Sequence, residues 1–414
     1  MRLPTNDASS KSKALVETIL SKFDGLSKPR RYFIISIFML YLSMRGRYTF
    51  KGMERYGDYC EATYRLHFER DFDFLRFNIE LSRESLSAHL ILAFDPSYLP
   101  KSGKHTPNID KFWSGCLGKA VKGIEIGGLG VVDVDNNTAL SLESIQTPDQ
   151  AELEQRGQSL VDHYAQIIID RQAQLADLSS YLAVDGYFTK VSFVNPILEQ
   201  TPLQLISKLR KDANLRYLYK GAQKQGRGRP RKYDGKIHLD KIDKRRFKQT
   251  YQDQDVKLYQ AVVWSVGLKR KIKLAYVEFL DQGQSTKRYA LFYSTDLTLD
   301  GYWIYRYYKA RFQIAFLFRD AKQFTGLSHC QARSENKLYF HFNTSLTAVG
   351  IVKAAHYLSQ EKDLRKSFSL ASIKTSYFNE LMLKLFLSNF QINPNLQKNR
   401  AIYQKLILYG NIAS

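Results

Sequence analysis

The chain of 414 residues carries 62 Lys or Arg against 40 Asp or Glu, a formal charge of +22. Its 44% hydrophobic content can build cores, which excludes a disordered basic tail. Cys60, Cys116 and Cys330 form no C-x-x-C pair, which speaks against a disulfide scaffold or structural zinc and for a reducing cytosol. On a chain with 27 Tyr and 25 Phe, such a charge points to a polyanionic partner; an ordinary enzyme that happens to be basic is the alternative.

Residues 1–88 read as a helical, basic, DNA-binding domain. The first fifteen residues are polar and lack a signal-peptide core. The apolar run 33–44 is about twelve residues long, short of the roughly 20 that span a bilayer. With Arg30, Arg31 and Arg45 around it, it reads as a buried helix, so a soluble, cytoplasmic protein without membrane contact is expected. Helix 31–44, a break at 45–47 and a short helix within 61–72 suggest a helix-turn-helix-like unit. Its second helix would present Tyr64, Arg65, His67 and Arg70 to the major groove. A basic helical cap without base contacts has the same pattern.

Residues 89–210 predict a strand at 90–94 ending at Asp95 and a hairpin of 124–134 with 138–142. A helical stretch over 149–179 follows, then a strand at 181–184 ending at Asp185. Segment 203–209 is apolar, and helix or strand stays open. Strand, hairpin, helix, strand with acids at two strand ends is the order of a ribonuclease-H-like α/β fold, though periodicity alone does not separate it from other three-layer arrangements. Residues 211–300 read as a β-rich insertion, with strands at 256–266, 272–280 and 287–293. Residues 301–345 begin with one helical stretch, 303–324, free of Pro and Gly. Residues 346–414 read as a helical C-terminal region.

Two strand-end carboxylates have a chemical use. Phosphodiester chemistry employs two divalent cations roughly 3.5–4 Å apart, and Mg²⁺ takes one or two carboxylates plus water and phosphate. A lone Asp after a strand is otherwise a turn or helix cap. Segment 308–322, YKARFQIAFLFRDAK, adds Tyr308, Arg311 and Lys322. At about 100° per residue, positions 308, 311, 315 and 322 of a helix share an arc of roughly 60°.

This segment resembles the DDE transposases of bacterial insertion sequences, the cut-and-paste family 4 type. Their Tyr-x2-Arg-x3-Glu-x6-Lys signature lies on the helix bearing the third catalytic acid. Asp95-Pro96-Ser97 with Lys101-Ser102-Gly103-Lys104, Asp185-Gly186-Tyr187-Phe188, and FTGLSHCQAR at 324–333 are also similar to the family, over roughly residues 45–345. The resemblance implies catalytic Asp95 and Asp185 binding two Mg²⁺ or Mn²⁺ in the intact enzyme. It implies cleavage and strand transfer of insertion-sequence ends into target DNA, a homodimer pairing two ends, and a nucleoid-associated bacterial setting. Arg311 and Lys322 would hold phosphates, and Tyr308 would contact the DNA backbone or a distorted base.

One departure stands out: where the family has its Glu, this chain has Ala315. Asp320 falls about 140° away on a helix and is a poor substitute. Ala315 is read as an introduced substitution that blocks cleavage and spares binding, or as the mark of a naturally silenced copy. A transposase-derived DNA-binding regulator without cleavage activity is accordingly the alternative function.

Further DNA contacts are expected at Arg227, Arg229, Arg231 and Lys232, whose Arg-Gly-Arg-Pro string resembles an AT-hook seated in a narrow minor groove. A solvated basic loop is the competing reading. Lys190, Arg210 and Lys211 are candidate phosphate contacts or solvated charges, and Lys104, Arg65 and Arg70 are further candidate DNA contacts. Helices at 338–356 and 373–389 are candidate dimer contacts or internal core.

Overall fold

The structure, a computed structural model, describes residues 8–223, 229–280, 288–359, 361, 367–393 and 396–412. Five helices come first: α1 (Ser10–Ser21), α2 (Lys28–Ser43), α3 (Phe50–Tyr56), α4 (Glu61–Glu69) and α5 (Phe74–Ser85). Local chemistry sets their starts. Ser27 caps α2 by accepting the Arg30 N–H at 3.4 Å, and Asp73 caps α5 by accepting the Arg76 N–H at 2.9 Å. Helix α2, the apolar run of the sequence, is buried through Phe33, Ile34, Ile37, Phe38 and Tyr41. On α4 the structure corrects one expectation: Tyr64 is fully buried, and His67 stacks on Phe33 at 3.9 Å. Only Arg65 and Arg70 of that predicted set face outward.

The sheet begins with β1 (Leu90–Pro100), β2 (Asp110–Ser114), β3 (Lys119–Asp133) and β4 (Thr138–Gln146). Strand β1 does not end at Asp95: it pairs antiparallel with β3 from Leu90 to Pro100, which puts Asp95 in mid-strand opposite Gly128. The expected hairpin is β3–β4. The single helical stretch expected over 149–179 is three helices, α6 (Gln150–Gln155), α7 (Leu160–Ile169) and α8 (Gln172–Ala176). Gly157, at φ +63°, makes the first break, and a Ser159–Asp162 capping box restarts the chain as α7. Then come β5 (Tyr181–Val184), α9 (Val191–Gln200) and β6 (Gln204–Leu209), which settles the open segment as a strand.

Next are β7 (Leu215–Leu218), β8 (Tyr233–Lys236), β9 (Lys248–Gln252), β10 (Val256–Ser265), β11 (Arg270–Phe279) and β12 (Arg288–Ser294). Five helices close the chain: α10 (Gly301–Ala310), α11 (Gln313–Phe324), α12 (Glu335–Ser359), α13 (Leu370–Asn389) and α14 (Gln397–Ile407). The uninterrupted helix expected over 303–324 is divided at Arg311–Phe312. There the amides of Phe312, Ile314 and Ala315 bond three residues back instead of four.

Among the described residues the strands form one sheet, ordered β3-β1-β5-β6-β12-β11-β10-β7-β8, with β2 and β4 on the outer edge of β3 and β9 on β10. Only β1–β5 and β5–β6 are parallel. This mixed α/β architecture with a central, mostly antiparallel sheet fits the ribonuclease-H-like nuclease expected from the element order. The strands of the β-rich stretch continue the same sheet, because β12 pairs with β6.

Helices cover both faces. On one, an added Cβ at Gly127 would meet Phe94 and Ile167 of α7; on the other, an added Cβ at Gly128 would stand 2.3 Å from Phe318 of α11. Gly128 thus lets α11 lie close against the strand that pairs with Asp95. Helix α12 is buried from Leu338 to Ala355, packed among α2, α4, α5 and β4. Over that stretch it is internal core. Among the described residues no helix is long and apolar enough to cross a membrane.

Candidate active site

Asp95 and Asp185 come together because β1 and β5 are neighbouring parallel strands, paired from Leu92↔Leu182 to Phe94↔Val184. Asp185 follows the last β5 residue and combines the two readings weighed for it. One carboxylate oxygen accepts the Tyr187 N–H at 3.3 Å, capping a 3₁₀ turn; the other faces the helices. That second oxygen accepts the Tyr308 hydroxyl at 3.2 Å and Arg311 Nη2 at 3.4 Å. Arg311 Nη1 meets Asp95 Oδ1 at 3.3 Å. One guanidinium therefore bridges both acids, from the point where α10 gives way to α11.

The electrostatics follow from burial. The Arg311 side chain is 8% exposed, whereas those of Asp95 and Asp185 are 28% and 48% exposed. Burial pushes the Asp95 carboxyl up to about 6; Arg311 opposes that and the neighbouring Asp185 adds to it. The Tyr308 hydroxyl is raised to about 12, chiefly by burial, so it stays a donor. Among the described residues, Arg311 Nε is buried without a hydrogen-bond partner. A buried donor left in this state has capacity for an anionic acceptor.

Lys322 lies about three turns beyond Arg311, on α11, and donates to Ser97 Oγ and to the Tyr98 carbonyl, each at 2.9 Å. It is fastened to β1, and burial lowers its pKa. Ala315 stands between these groups, at i+7 spacing from Lys322 and i+3 from Phe318, whose ring covers Gly128. Ala315 itself is half-buried in the first turn of α11, just after the break at Arg311–Phe312. Asp320 is buried elsewhere, paired with Arg319 and close to Lys353. Among the described residues no group of three or more His, Cys, Asp or Glu side chains gathers as a metal cluster.

Glu125, unremarked in the sequence, lines a cavity of about 540 Å³ together with Asp95 and Asp185. It is committed, however, to Tyr164 and Thr147 on the α7 side of the sheet. On the other side of Asp185 a cleft of about 560 Å³ holds Lys208, Arg210, Lys211, Tyr289 and Tyr308. Arg210 pairs there with Asp212, and Lys190 lies over the Tyr187 ring at 3.9 Å. Lys208 could have been found from its place on β6 beside the second acid.

The other candidates stand apart. Arg227 lies outside the described residues. Arg229 is exposed, Arg231 pairs with Asp234 and covers the Tyr219 ring, and the Lys232 carbonyl accepts the Tyr219 N–H. Lys104 and Arg65 line another cleft together, while the Arg70 carbonyl accepts from Arg30.

Residues 69–271 match the family model described as DDE superfamily endonuclease. The match spans both aspartates and stops before Tyr308. It supports a DDE-type transposase family, a nuclease- or transposase-type function and DNA as the substrate class. DDE-superfamily nucleases generally use divalent metals. No curated protein matches the chain.

Proposed function

We propose that the chain is a transposase of the insertion-sequence family 4 type that binds the ends of its element as duplex DNA, with strand cleavage suppressed by Ala315. The observation that carries this reading is the convergence of Tyr308 and Arg311 on Asp95 and Asp185; the reading of Ala315 as the missing third acid comes from the resemblance of its sequence segment.

The donor set fits a divalent ion: two carboxylates suffice for Mg²⁺ or Mn²⁺ when water and phosphate fill the remaining positions. Asp95 and Asp185 would hold it, and it would supply activation of water and charge stabilisation at phosphorus. A second ion would lack the ligand that Ala315 omits. The chain's own groups then have separable tasks. Arg311 offsets the charge of the acid pair. Tyr308 orients Asp185 by donating to it. Lys322 fixes the Ser97–Tyr98 backbone and, through it, the position of Asp95 in β1. The exposed rings of Phe312, Tyr187 and Trp113 near the acids offer stacking surfaces for unpaired bases.

Ala315 equally favours a second reading, a transposase-derived regulator that binds ends and never cuts them. Pairing of two chains would use α13 and α14, where Leu385, Phe386, Phe390, Ile402 and Leu406 are exposed. The test is retention and nicking of labelled duplexes carrying the flanking inverted repeats, in Mg²⁺. Tight retention without nicks is expected. Efficient nicking, or no preference over unrelated duplex, would overturn the proposal.

A further inference from the structure

A second concave surface lies beyond the carboxylates. Six cationic side chains face a cleft of about 1040 Å³: Arg47, Arg65, Lys101, Lys104, Arg333 and Lys337. They come from distant parts of the chain, namely the turn before α3, helix α4, the β1–β2 loop, the loop after α11 and the start of α12. Among the described residues no Asp or Glu lines the cleft.

The pairing of these charges is uneven. Arg65 is held by Glu61 and Lys337 by Glu69, both outside the lining. Lys101 donates to the Cys330 carbonyl. Arg47, Lys104 and Arg333 are exposed and make no ion pair among the described residues. His105 and His329 add further donors. Like charges turned into one concavity repel each other unless a polyanion fills it.

The position along β1 gives the cleft a distance from the acids. Asp95 lies in mid-strand, Lys322 is bound at Ser97 and Tyr98, and Lys101 follows the strand's last residue. Six residues at about 3.4 Å each place Lys101 about 20 Å from Asp95. Duplex DNA covers that span in about six base pairs, at 3.4 Å per phosphate of one strand.

We infer that this cleft seats the sugar-phosphate backbone of duplex DNA about six base pairs from the phosphate at Asp95 and Asp185. The inference rests on the reading of the chain as a DNA-end-binding protein and adds where the duplex runs. A duplex is favoured over a small phosphate compound because six cations from five separate segments share one cleft of about 1040 Å³, more charge and room than a single phosphate group would use.

The experiment uses the full chain, two duplexes and the double variant Lys104→Glu with Arg333→Glu, both at exposed positions. One duplex carries the full inverted repeat; the other is cut to four base pairs on the side leading to the cleft. The variant is expected to bind the full duplex at least tenfold more weakly at 150 mM salt. Its log affinity against log salt should flatten by about 2, near one per lost phosphate contact. On the shortened duplex variant and parent should bind alike. Equal affinity and slope for both proteins on the full duplex would overturn the inference and leave end binding intact. If the parent binds neither duplex, the underlying DNA reading fails. Inorganic pyrophosphate that competes at micromolar concentration, with no difference between the duplexes, would assign the cleft to a small phosphate compound instead. Matched thermal unfolding of parent and variant confirms that folding is unaffected.

Discussion

Arg311→Ala removes the one cation that faces both acids. The guanidinium is nearly buried, and its contacts with Asp95 and Asp185 are 3.3 and 3.4 Å. Breaking a fully buried pair from one side costs about 3–5 kcal/mol, because the partner charge stays behind. Here the partners are 28% and 48% exposed and water recovers part of that, so roughly 2–3 kcal/mol is expected at pH 8. The cost depends on pH in a definite sense. Asp95 already holds its proton up to about pH 6, and loss of Arg311, which lowers that value, moves it higher still. The arginine therefore stabilises Asp95 only in its ionised form, and that part of its contribution fades as pH falls through 6 toward 4. Guanidinium unfolding of parent and variant at pH 8 and pH 4.5, in EDTA, measures this. A loss that is large at pH 8 and less than half as large at pH 4.5 is expected. A loss below 0.5 kcal/mol, or one equal at both pH values, would refute the bridging role. Arg311→Lys should recover little, since one ammonium does not span two carboxylates as the planar fork does.

Gly128→Val forces Phe318 away from β3; overpacking of this kind costs about 1–3 kcal/mol. Thermal melting should show it, along with weaker end-DNA binding as α11 shifts. A variant indistinguishable from the parent would count against the close helix–strand contact. Lys374 is buried in α13 and donates to the Tyr41 and Met44 carbonyls at the end of α2; burial lowers its pKa to about 7. Between pH 7 and 10 the unfolded chain binds more protons than the folded one, so stability should rise, by roughly 3 kcal/mol at most. Lys374→Met should abolish that rise, and a rise preserved in the variant would show that another group produces it.

Each candidate residue was legible from a short stretch, a strand-end Asp or the spaced Tyr, Arg and Lys, although the stretches lie far apart in the chain. Asp95, Asp185, Tyr308, Arg311 and Lys322 all reach one region around β1, and the spacing of the last three on a helical segment already placed them on one side. What the sequence did not disclose depends on pairing and packing. Strand β1 continues past Asp95 because β3 runs opposite it to Pro100, a register absent from the composition of either segment. The break at Arg311–Phe312 has no Pro or Gly to announce it, whereas the break at Gly157 did have its glycine. Strands β7, β8 and β9 are short, polar and marginal in the sheet, so alternation gave little sign of them. The six-cation cleft is assembled from segments up to 290 residues apart, Arg47 to Lys337, and no window of sequence contains it. The apolar faces of α12 suit a surface between chains as well as internal core, and the structure buries the helix within the chain.

The central claim is that one missing carboxylate separates this chain from a cutting enzyme. Ala315→Glu tests it most directly, with nicking of inverted-repeat duplex followed in Mg²⁺ and Mn²⁺ beside the parent. The account predicts metal-dependent nicks from the glutamate variant, none from the parent, and similar duplex affinity for both. A glutamate variant that binds equally well and still does not nick would contradict it.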